Sequence, residues 1–159
     1  MVYSVTVISR RLVGVVMTLV TNRVLRLSAP TTPLSIVVLD DALIVVDPAP
    51  GVEVNLVSFS LMMAATVKHL RDNSTASYSG VCEYIAAKAK GKLKTSVILA
   101  ADIVSVEVAK GLLLRTVKLV FGEDGVLVLH GTKGPVEEFV AALSMLLGDR
   151  VRRVKRIQL

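Results

Sequence analysis

The chain has 159 residues, 53% of them hydrophobic and 20% charged, which excludes a disordered segment and matches one ordinary domain in length. Its one cysteine, Cys82, excludes an internal disulfide and any multi-cysteine zinc site. The net charge of +6 is unevenly placed: residues 150–159 hold five basic side chains and no acid, whereas residues 1–149 carry 14 basic and 13 acidic, so only the end of the chain is strongly basic.

In chain order, residues 2–8 and 12–20 are valine-rich and predict strands, separated by Arg10-Arg11. The chain holds 29 Val against three Phe, three Tyr and no Trp, and β-branched side chains pack well on a pleated sheet. The first residues put their basic pair after the apolar stretch, the reverse of a signal peptide, and no apolar run is long enough to span a bilayer. A cytoplasmic protein is expected. Thr21-Asn22-Arg23 predicts a turn before Val24 to Leu27, and Ala29 to Pro33, with two prolines, predicts a loop. Leu34 to Leu39 and Ala42 to Val46 form a hairpin around Asp40-Asp41. Leu56, Phe59, Met63, Val67 and Leu70 then step by three or four, predicting a helix over residues 55–71. Asp72-Asn73-Ser74-Thr75 is a polar stop.

Tyr84 to Lys94 reads as two short strands and a turn at Gly91. Thr95 to Leu99, Ile103 to Val108, Leu112 to Phe121 and Val126 to His130 read as strands, the last two as a hairpin around Gly122-Glu-Asp-Gly125. Pro135 marks a helix start with Glu137 and Glu138 in its first turn, and Val136, Phe139, Val140, Leu143, Leu146 and Leu147 make one apolar stripe ending at Gly148. The prediction is a mostly antiparallel α+β sheet or barrel with this C-terminal helix and a second helix near 55–71. It is one compact unit over residues 1–149, followed by a basic tail over 150–159. A gapless shift of 83 residues lays the first hairpin, Gly51 and the first helix on the second hairpin, Gly134 and the second helix. Two similar halves, 1–75 and 76–149, related by a pseudo-twofold axis, are expected. Gln occurs once and Asn three times, a poverty of thermolabile amides that fits a thermophilic source.

Asp102-Ile103-Val104-Ser105-Val106, the hairpin of Val117 to Phe121 with Val126 to Leu129, and the helix from Pro135 to Leu143 together resemble the closing part of a bacterial or archaeal pleckstrin-homology-like domain. The resemblance covers residues 92–147, about a third of the chain, and the helix at 55–71 departs from that family's single capping helix. It implies a binding scaffold and not an enzyme.

Chemistry-bearing motifs are sparse. His69 and His130 have no second ligand at metal spacing, and the acid pairs Asp40-Asp41 and Glu123-Asp124 fall at hairpin tips, where acids are common turn residues. No catalytic centre, metal or cofactor is expected. Lys88, Lys90, Lys92 and Lys94 recur at every second residue, which on a strand would present one basic face to phosphates or guard a sheet edge. Arg150, Arg152, Arg153, Lys155 and Arg156 could follow a polyanion or simply solubilise the end. The preferred function is a non-catalytic binding or assembly module, with a protein partner or a second copy. The alternative is an anion binder, for nucleic acid or acidic lipid headgroups, using these two basic clusters. A hydrolase stands further off.

Overall fold

The computed structural model describes residues 12–22 (backbone course only), 32–53, 55–73 and 77–158. The expected strand at 2–8 and the segment Val24 to Leu27 lie outside the described residues. The fold is α+β. Eight strands form one mixed, open sheet in the order β4-β3-β2-β1-β7-β6-β5-β8. They are β1 (Leu12–Asn22), β2 (Thr32–Leu39), β3 (Ala42–Pro48), β4 (Leu93–Leu99), β5 (Ile103–Lys110), β6 (Arg115–Phe121), β7 (Gly125–Gly131) and β8 (Val151–Val154). Every neighbouring pair is antiparallel except β5 and β8. Three helices, α1 (Leu56–Asp72), α2 (Tyr78–Ala89) and α3 (Lys133–Leu147), cover its faces.

Strands β2, from Ser35 onward, and β3 are buried on both sides, which explains why they read as unbroken apolar runs. Val37, Leu39, Ile44 and Val46 face α1 and α2, meeting Phe59, Met63, Val67, Leu70, Val81 and Ile85. Ile36, Val38, Leu43 and Val45 face the other way, into a core shared with β5, β6, β7 and α3. Asn55 caps α1 by accepting from the backbone N–H groups of Val57 (2.8 Å) and Ser58 (3.4 Å).

Helix α2 corrects the expectation of two short strands over 84–94. Ser77 caps it at 3.1 Å from the Gly80 nitrogen. Val81, Ile85 and Ala89 stand at four-residue steps and are buried. The helix stops because Lys90 (φ 51°) and Gly91 (φ 81°) turn left-handed, and β4 begins at Leu93. The period of two in the lysines therefore runs through a helix end, a turn and a strand, and shares no single face. Several boundaries also move, among them the turn expected at Thr21 to Arg23, since β1 runs through Asn22. Pro33 lies within β2, opposite Val20. Leu112 to Leu114 precede β6 instead of opening it. Helix α3 starts at Lys133, which puts Glu137 and Glu138 beyond its first turn.

Each half contains a three-stranded meander followed by a helix: β1-β2-β3 with α1, and β5-β6-β7 with α3. From the first to the second, strand order across the sheet is kept, strand direction reverses, and the helix changes face. The gapless shift fails by one residue. It lays β3 on β7, but Val37, which opposes Ile44, falls on half-exposed Val120 instead of Leu119, which opposes Leu127. The cause is in the turns, Asp40-Asp41 against the longer Gly122-Glu123-Asp124 with Gly122 at φ 59°. One residue of slip sends every side chain of a strand to the opposite face.

Candidate functional site

Lys88, Lys90 and Lys92 stand together after all, though not on a strand. They edge an open groove of about 470 Å³ between α1 and the α2–β4 junction. Its apolar wall comes from Phe59, Leu61, Met62 and Ala65 of α1, with Ala89 and Leu93 opposite. Helix periodicity places Val57, Leu61 and Ala65 on the outer stripe of α1, and Leu61 is 67% exposed. No acid lines the groove. Lys94, one step further along, lies on β4 opposite Asp47 and is not part of it.

Next to the groove the two helices are fastened by aromatic contact. The rings of His69 and Tyr84 stack with centroids 3.9 Å apart, and the Lys88 ammonium sits 5.8 Å from the Tyr84 ring centre. The Tyr84 hydroxyl reaches the Ala65 carbonyl at 3.5 Å. His69 is thus a packing residue between helices. His130 contacts the Thr116 hydroxyl across the β6–β7 pair at 3.0 Å through Nδ1. Among the described residues, no three His, Cys, Asp or Glu side chains converge on one point.

The basic end of the chain departs from the expected tail. Arg150 lies in a single 3-10 turn, and its guanidinium donates to the carbonyls of Ala100 and Ile103, each at 3.0 Å, with a longer contact to Leu147. Val151 to Val154 then form β8, parallel to β5. Arg153 grips the Glu137 carboxylate through both oxygens, at 3.1 and 2.6 Å, and Arg115 contacts the same carboxylate. These hydrogen bonds from Arg153, helped by the charges of Arg153 and Arg115, hold the Glu137 carboxyl below its ordinary range despite some desolvation. Two of the five basic residues are therefore engaged within the fold. Arg152, Lys155 and Arg156 remain exposed, and Lys118 donates to the Gln158 carbonyl at 2.7 Å, which folds the last residues back along the sheet. Sequence reasoning missed the apolar wall of the groove, because Leu61 and Ala65 carry no signal until α2 is known to be a helix.

The acid pairs sit at turns, as their spacing suggests. Backbone bonds tie each turn to the Ala100–Asp102 corner between β4 and β5: the Ala100 nitrogen donates to the Asp41 carbonyl and the Gly122 nitrogen to the Asp102 carbonyl, each at 2.9 Å. None of the described helices is long and apolar enough to cross a membrane. No protein-family model, curated protein or solved structure matches the chain.

Proposed function

We propose that the chain is a non-catalytic binding module that holds an acidic, amphipathic segment of a partner protein in the groove between α1 and the α2–β4 junction. The observation that carries this reading is the pairing of an exposed apolar helix stripe with three lysines and no acid. Apolar side chains of a partner would cover Leu61 and Met62, and its carboxylates would meet Lys88, Lys90 and Lys92. A second copy of the chain suits the groove less well, since a self-complementary contact sets lysines against lysines. A bare polyanion would satisfy the lysines but leave the apolar wall in water. The scaffold belongs to the same proposal: the order β5-β6-β7-α3 supports a pleckstrin-homology-like frame. A cytoplasmic setting is part of it too, in keeping with the free thiol of Cys82.

The test uses two synthetic amphipathic helices, one of leucine and glutamate, the other of leucine and lysine, titrated into isotopically labelled protein. The acidic helix is expected to shift the amide signals of Leu61, Ala65 and Lys90. The variant K88E/K90E/K92E is expected to weaken that binding by about tenfold or more, with three rim charges each contributing about half a kcal/mol. Equal binding of the basic helix, or shifts spread away from the groove, would sink the reading.

A further inference from the structure

We infer that the end of the sheet built from the β5–β6 turn, the close of β8 and the start of α3 is a docking surface for anionic lipid bilayers, with Leu112 and Leu113 as the inserting side chains. This surface is separate from the groove and does not depend on it.

The turn between β5 and β6 carries three consecutive leucines, and Leu112 and Leu113 are 99% and 86% exposed, the highest values of any large apolar residue described. They are held out by the backbone. The Gly111 nitrogen donates to the Leu114 carbonyl at 2.9 Å, and a Cβ at position 111 would lie 2.4 Å from that oxygen. Only glycine closes this turn as it stands, so the leucines are presented by a fixed loop. Large apolar side chains of a β-hairpin tip gain nothing from the fold while they stand in water.

Strand pairing gathers cations around this tip. Lys110 and Arg115 are its two stems, paired with each other. Strand β8 runs parallel to β5, with Val154 opposite Ala109, so Lys155 and Arg156 leave the sheet beside the tip. Arg115 also pairs with Gly131, which brings the exposed Lys133 at the start of α3 to the same end. Glu137 on α3 is already bound by Arg115 and Arg153, and Glu138 is the exposed acid nearby. At the other end of the same strands lie Asp102, Glu123, Asp124 and Asp149. The charge therefore runs from acidic to basic along the strands, and an anionic surface would draw the leucine tip towards itself.

The combination selects the occupant. Nucleic acid would use the cations and leave the leucines in water. An anionic bilayer uses both: headgroups attract Lys110, Lys133, Lys155 and Arg156, each raising binding by about fivefold, while the leucines enter the layer below. Two leucines and a few cations give reversible association, and no described helix offers a span.

The chain contains no tryptophan, so the variant Leu113→Trp carries an emission that reports on the tip alone. Its spectrum is expected to shift to the blue on adding vesicles of phosphatidylcholine with phosphatidylserine, and not with phosphatidylcholine alone. In flotation with the same vesicles, L112S/L113S and K155E/R156E are each expected to bind about tenfold more weakly or worse. All four sites are exposed, and unchanged thermal unfolding of the variants shows that the fold is kept. An unshifted spectrum, or undiminished flotation of L112S/L113S, overturns the inference. So does tip-dependent self-association in sedimentation, or preference for duplex DNA over vesicles.

Discussion

Replacing Phe139 with alanine is expected to lower stability by about 3–5 kcal/mol, a large fraction of the whole for a domain of this size. Phe139 is fully buried and is the largest side chain in the core shared by α3 and the second sheet half. Val136, Val140, Leu143 and Leu147 share its helix face, and Val117, Leu119, Leu127 and Leu129 meet it from β6 and β7. The valines among these neighbours are β-branched, and Leu119, Leu127 and Leu129 are held on a sheet, so most of them collapse poorly into the space a ring leaves. Urea unfolding checks this directly: the midpoint should fall while the slope stays the same. Met145→Ala, on the same helix but 66% exposed, should change stability by less than about 0.5 kcal/mol. Equal effects at the two positions would mean that α3 is not seated by this face.

What could be read from the sequence follows from how local each signal is. Both hairpins were legible, because each sets two valine-rich runs around an acidic turn. Helices α1 and α3 were legible, because their apolar residues keep a period near 3.6 over four turns. Helix α2 was hidden by its own ending. The alternation of Lys88, Lys90, Lys92 and Lys94 mimics a strand, while the helical steps Val81, Ile85 and Ala89 are shorter and less hydrophobic. Leu112 to Leu114 look like strand core by composition, and only the Gly111–Leu114 backbone bond shows that they stand outside it. The groove needed α2 to be a helix before its two walls could be placed together. The repeated order of three strands and a helix was legible, but the extra residue at Gly122 to Asp124 broke the gapless overlay. Least legible was β8. Its partners, β5 by the backbone and Glu137 through Arg153, lie far away in sequence, and a run so rich in arginine resembles a solvated extension.

The last ten residues are consequently expected to behave as part of the fold. A chain truncated after Asp149 should lose several kcal/mol of stability or fail to fold, instead of shedding a dispensable basic tail. Three losses combine. Strand β8 leaves, uncovering the edge of β5 over Val106 to Ala109. The Glu137 carboxylate loses Arg153, and Arg115 is left as its remaining partner. The carbonyls of Ala100 and Ile103, at the corner where β4 passes into β5, lose the guanidinium of Arg150. The third loss can be isolated. Arg150→Ala should cost about 2–3 kcal/mol, because charged hydrogen bonds to part-buried carbonyls are replaced by nothing. Arg150→Lys should recover only part of it, since Nη1 alone reaches both oxygens and an ammonium on a shorter, flexible stem must replace it while the Nε contact to the Leu147 carbonyl is lost. Arg152→Ala, exposed on β8, should be within about 0.5 kcal/mol of the parent. Thermal unfolding of the four proteins decides the matter. If the truncated chain melts with the parent, β8 and Arg150 contribute nothing to the fold; if Arg150→Ala and Arg152→Ala melt together, the corner is held by its backbone bonds alone.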